Sequence, residues 1–85
     1  MKKLAFKNVT PKVYEGLKKE LKNFGVEIAG NQGDISAKGI KGSFNRDTAS
    51  ETLQITINKT PMLLPTSMLA GQITGLVERL GGEVA

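Results

Sequence analysis

Thr52-Leu53-Gln54-Ile55-Thr56-Ile57-Asn58 decides the fold class of this 85-residue chain. Leu53, Ile55 and Ile57 alternate with polar residues, and successive side chains of a strand point to opposite faces of its sheet. One face is buried and the other solvated, which is the pattern of an antiparallel sheet covered on one side. A strand of an all-parallel sheet, covered on both sides, would read as a continuous apolar run.

Working toward the N-terminus, Asn45-Arg46-Asp47-Thr48-Ala49-Ser50-Glu51 reads as a polar hairpin loop. Before it come Ile40 and Phe44, then Ile35 and Ala37. Val26 and Ile28 precede these as a further alternating pair, set off by a tight turn over Gly30-Asn31-Gln32-Gly33-Asp34. The apolar phase slips by one at Lys38-Gly39. Either a bulge at Gly39 absorbs the slip or the strand breaks there into two. Leu4 and Phe6 give a weak strand pattern over residues 2–8.

Two helices complete the pattern. Thr10 is a good N-cap, Pro11 suits the first helical position, and Val9 and Tyr14 occupy the positions of a hydrophobic staple. Val13, Leu17, Leu21 and Phe24 form one apolar stripe and Gly25 ends it, so a helix is predicted over residues 11–23. A second helix, capped by Thr66 or Ser67, carries Leu69, Ile73, Leu76, Val77 and Leu80 and stops at Gly81-Gly82. With no repeat or linker, residues 1–85 form a single domain. Its predicted class is α+β: a two-layer sandwich in which an antiparallel meander of roughly three to five strands packs on two helices.

Composition excludes much chemistry. The chain has no cysteine and no histidine, so disulfides, thiolate metal sites and a Ser-His-Asp triad cannot be built. The eight acidic residues form no pair of the kind that flanks a hydrolytic cleft. The glycines at 30, 33, 39 and 42 fit no phosphate-loop spacing. The expectation is a non-enzyme with no cofactor and no metal. No stretch reaches the roughly 18 apolar residues of a membrane span, and no apolar run follows Lys2 and Lys3 as in a signal peptide, so a cytoplasmic location is expected.

Two features point to binding. Met62-Leu63-Leu64, between Pro61 and Pro65, puts three large apolar side chains in a connection, where chains ordinarily expose polar residues. They either dock a partner, a membrane surface or an apolar ligand, or cover the open end of the core. Gly71 and Gly75 form a G-x-x-x-G on the last helix, where each costs about 1 kcal/mol relative to alanine. Close packing on the sheet compensates for such glycines, as does a second copy of the chain approaching closely. The leading expectation is therefore a protein-interaction module, with a homodimer as one form of it. The alternative is a weak, non-specific anion or nucleic-acid binder, because residues 1–22 carry seven lysines against two glutamates and Lys12, Lys18, Lys19 and Lys22 fall opposite the apolar stripe of the first helix.

Gly39-Ile40-Lys41-Gly42-Ser43-Phe44, Leu53-Gln54-Ile55-Thr56-Ile57, Lys59-Thr60-Pro61 and the closing helix resemble small bacterial proteins of unassigned function. The architecture is similar to the polyhydroxyalkanoic acid system family, from which the Pro61–Pro65 segment and the basic first helix depart. The resemblance implies association with other proteins or an apolar surface and carries over no functional residue.

Overall fold

A computed structural model of the protein describes residues 2–85. The elements run β1 (Lys2–Lys7), α1 (Pro11–Asn23), β2 (Gln32–Ala37), β3 (Ile40–Asp47), β4 (Thr52–Lys59), α2 (Thr66–Leu80) and β5 (Glu83–Val84). The strands form one antiparallel sheet of order β2-β3-β4-β1-β5, so the β2-β3-β4 meander is extended by β1 and then by β5. Both helices lie on one face, and the α+β two-layer sandwich is the observed class.

The alternation around Leu53 produces this division. Leu53, Ile55 and Ile57 are buried together with Phe6, Ile35 and Phe44 on the covered face. The paired rows Lys3–Thr56–Ser43–Asp34 and Ala5–Gln54–Asn45–Gln32 form the open face. The helices close the core with Val13, Leu17 and Leu21 from α1 and Ala70, Ile73, Leu76 and Val77 from α2.

α1 spans the expected residues. The Thr10 hydroxyl accepts from the Val13 N–H at 3.2 Å, and the staple residues Val9 and Tyr14 are both buried. Gly25, at φ +83°, lets the chain reverse after the helix, and the Val26 N–H donates back to the Leu21 carbonyl. Phe24, expected as the end of the buried stripe, is instead 53% exposed because it lies beyond the last helical turn.

Two sequence expectations are corrected, and the alternative left open at Gly39 is decided. Residues 26–28 are not a strand: Val26 is committed to the helix-terminating hydrogen bond, and regular pairing begins at Gln32. Of the two alternatives at Gly39, the strand breaks: Lys38-Gly39 is a two-residue hairpin turn, with φ of 52° and 82°, and Ala37 pairs with Ile40 across it. The register irregularity falls instead between Lys41 and Gly42, which pair with Lys59 and Ile57 and leave Asn58 as the extra residue. Asn45, Arg46 and Asp47 belong to β3, and the loop shrinks to residues 48–51, ordered by the Asp47 carboxylate accepting from the Ala49 N–H at 3.0 Å.

Arg46 is 7% exposed, on the covered face beside the helices. Its Nε and Nη2 donate to the Val9 carbonyl at 3.2 and 2.7 Å, and its guanidinium carbon lies 5.1 Å from the centre of the Tyr14 ring. The Tyr14 hydroxyl in turn donates to the Gly30 carbonyl at 2.7 Å. Burial pushes the Tyr14 phenol above its ordinary value, an effect that the Arg46 charge opposes and Glu15 reinforces.

Arg46→Ala is expected to lower unfolding free energy by about 2–3 kcal/mol, because it strands the Val9 carbonyl and uncovers the Tyr14 ring; urea denaturation with an unchanged m-value checks this. Tyr14 is the sole tyrosine, so alkaline absorbance reports it alone. A raised folded pKa contributes stability that is complete below the unfolded value of about 10 and is lost as pH rises through the folded value. The titration midpoint of the native chain should therefore lie above that of the urea-unfolded chain. A midpoint at or below the unfolded one would contradict the burial of this phenol.

Candidate functional site

The connection from β4 to α2 builds the first part of the site. The Leu64 N–H donates to the Pro61 carbonyl at 3.0 Å, which closes a turn with Met62 and Leu63 at its tip. The helix then starts on Pro65, whose carbonyl accepts from Met68 and Leu69 at 3.0 and 3.2 Å. Neither Thr66 nor Ser67 caps it; the Thr66 hydroxyl instead meets that of Thr60 at 3.3 Å, across the base of the turn. Met62 and Leu63 are 98% and 95% exposed, whereas Leu64 is half-buried. The three apolar residues thus divide: Leu64 is half-buried and the other two project into solvent.

Leu64 borders an apolar groove of about 280 Å³ between the C-terminal end of α1, the start of α2 and the β2–β3 turn. Leu21, Val26, Ile40, Leu69 and Ile73 form its walls, and exposed Phe24, Lys38 and Gln72 also line it. Ile40 and Leu69 are only half-covered. Met68, in the first turn of α2, is 53% exposed. Phe24, Met62, Leu63 and Met68 therefore gather at one end of the sandwich. Sequence reading missed Phe24 and Met68; the signal for Phe24 was its place after the last helical turn, and Met68 falls outside the apolar stripe of α2.

Gly71 and Gly75 lie on the outward face of α2. At 3.6 residues per turn they fall about 180° from the stripe of Ala70, Ile73, Leu76 and Val77. A Cβ built on either glycine meets nothing within 4 Å, so the expected close packing on the sheet does not occur. Gly16 shows the contrast, because a Cβ there would come within 2.9 Å of Leu80 Cδ2 at the helix–helix crossing. Phe24 and Arg79 flank the two bare glycines across a shallow depression.

The four lysines of the anion-binding alternative do not form one patch. Lys18, Lys19 and Lys22 border a shallow cleft that also contains Glu27, while Lys12 stands apart in the first turn of α1. Lys18 pairs with Glu15 at 2.8 Å and holds that carboxyl below its usual range. Its Nζ also lies 5.2 Å from the Tyr14 ring centre.

Among the described residues, no group of three or more acidic side chains is placed to hold a metal ion, and no helix is long and apolar enough to cross a membrane. No family model matches the chain, and no curated protein or solved structure is significantly similar to it.

Proposed function

We propose that the chain is a small non-catalytic protein-interaction module that associates with a second copy of itself through the outward face of α2. The observation that carries this reading is the pair of helix-interior glycines that face open space. Each lowers helix stability by about 1 kcal/mol relative to alanine, and none of the described residues makes use of the missing side chains. A second helix crossing at Gly71 and Gly75 would use them, since glycine lets two backbones approach closely. Met68 and Arg79 share this outward face, and exposed Phe24 stands beside it, so the approaching helix finds apolar surface on both sides of the crossing. The lysines of α1 offer less, because Glu27 and Glu15 sit among them and reduce the attraction for an anion.

Gly71→Ala and Gly75→Ala should each stabilise the dilute monomer by about 1 kcal/mol, as read by thermal or urea unfolding. Gly75→Leu should raise the self-dissociation constant roughly tenfold or more in sedimentation equilibrium, with the far-ultraviolet spectrum unchanged. A native chain that stays monomeric at its highest soluble concentration would refute self-association, and a Gly75→Leu variant that dimerises normally would remove this face from it.

A further inference from the structure

We infer that the end of the sandwich carrying Met62 and Leu63 docks on an anionic lipid surface, with these two side chains entering the headgroup boundary and a set of lysines contacting the headgroups around them. This inference uses the tip of the β4–α2 turn rather than the glycine face of α2, so it stands or falls separately from self-association.

The first observation is the exposure of the tip. Met62 and Leu63 are almost fully solvated at adjacent positions of a tight turn, whereas the apolar walls of the groove behind them, Leu21, Val26, Ile40, Leu69 and Ile73, are buried or half-buried. Apolar residues on a projecting tip suit insertion into a soft boundary layer, which needs no preformed pocket.

The second observation is where the charge goes. β1 and β3 begin, and β4 ends, at this same end of the sheet. Lys2 pairs opposite Ile57, Lys41 opposite Lys59, and Lys38 occupies the β2–β3 turn. That turn touches the connection: a Cβ on Gly39 would lie 3.4 Å from Pro61 Cγ. Lys2, Lys38, Lys41 and Lys59 are all exposed, and the only ion pair among the described residues, Glu15–Lys18, involves none of them. Asp47 and Glu51 lie in the β3–β4 hairpin, Glu78 in the last turn of α2 and Glu83 in β5, all at the opposite end. Three acids are nearer: Glu27 shares its cleft with Lys18, Lys19 and Lys22, Glu20 lies on α1, and Asp34 lies on the open face of the sheet, paired with Ser43.

An apolar tip surrounded by unpaired lysines is complementary to a surface that is negative at its face and hydrocarbon beneath. A nucleic acid matches the lysines but gives Met62 and Leu63 nothing to enter. Lysine is also suited to the headgroup layer, where the ammonium stays hydrated above its apolar stem.

The test is cosedimentation of the full chain with vesicles of phosphatidylcholine alone and of phosphatidylcholine mixed with phosphatidylglycerol. The native chain should bind the mixed vesicles, bind neutral ones far more weakly, and lose affinity with added salt. Each of Lys38→Gln, Lys41→Gln and Lys59→Gln should weaken partitioning roughly fivefold. The double variant Met62→Ser, Leu63→Ser should weaken it by about tenfold or more. Both side chains are solvent-exposed, so the fold of that variant should be unchanged by circular dichroism, and Gly75→Leu should still bind. Failure of the native chain to bind mixed vesicles would overturn the proposal. So would binding that survives the serine pair and vanishes with salt, which would mark the lysines as a plain anion site. Vesicle binding by a strictly monomeric chain would support this inference while refuting self-association.

Discussion

Arg46 places a guanidinium on the covered face of a small sheet, and the position of α1 depends on how that group is satisfied. Its two N–H donors converge on the carbonyl of Val9, the residue just before the N-cap of α1. Its guanidinium carbon lies over the ring of Tyr14, the residue that staples with Val9 across the first turn. Tyr14 then reaches the Gly30 carbonyl, so one chain of contacts runs from β3 through the start of α1 to the segment leading into β2. The acceptor is a neutral backbone oxygen rather than a carboxylate, so the group gains no ion pair to offset its desolvation, and the hydrogen bonds and the ring must do so. The compensation works because the Val9 carbonyl would otherwise need another buried donor.

Fixing the first turn of α1 leaves its last turn free to set the shape of the other end. The helix finishes at Asn23 and the chain doubles back through Gly25, so Phe24 is carried past the core edge. On the opposite side, Pro61 and Pro65 hold the β4–α2 connection in a turn whose tip points away from the body. Pro61 and Leu64 of that connection line the groove, while Met62 and Leu63 face solvent. The apolar side chains at this end thus exceed what two helices can cover, and the groove over Ile40 and Leu69 is the result. A chain of this length buries only about 60–65% of its unfolded surface, so one incompletely covered end is in keeping with its size; what is unusual is that Met62 and Leu63 were not replaced by polar residues there.

Much of this was legible in the sequence because periodicity and punctuation agree. The alternation at Leu53, Ile55 and Ile57 fixed which face of the sheet is covered, and Thr10, Pro11 and Gly25 bounded α1 correctly. Errors arose where one residue served two patterns. Val26 looks like the start of a strand but completes a helix terminus. Arg46 shares the inward phase of Phe44, yet its charge argued for a loop; only the Val9 carbonyl and Tyr14, both distant in sequence, explain it. β5 has two residues, too few for any period. For the candidate site, the sequence singled out Met62 to Leu64 and Gly71 with Gly75, but not which of them face outward, because a helix interior and a short connection can each be rotated without changing their composition. The lysines at the apolar end were hidden for another reason: Lys2, Lys38, Lys41 and Lys59 are scattered along the chain and meet only through strand pairing.

The glycine face of α2 and the lysine-bordered tip are neighbours, and their relation constrains any assembly that uses both. α2 starts at the tip end of the sandwich and finishes at the opposite end. A twofold axis running along α2 brings two parallel helices together and points both tips the same way. One flat anionic surface could then engage two tips at once, and the second contact would be favoured by the high effective concentration that the first creates. A twofold axis across α2 makes the helices antiparallel and sends the tips in opposite directions, so a flat surface meets only one. It also keeps the lysine-rich ends of the two copies apart, which would favour the antiparallel pair in solution. In such a pair the lysines gathered at one end would pull in two directions: they would favour antiparallel association in water and parallel association on an anionic surface, and the surface could prevail only by engaging both tips.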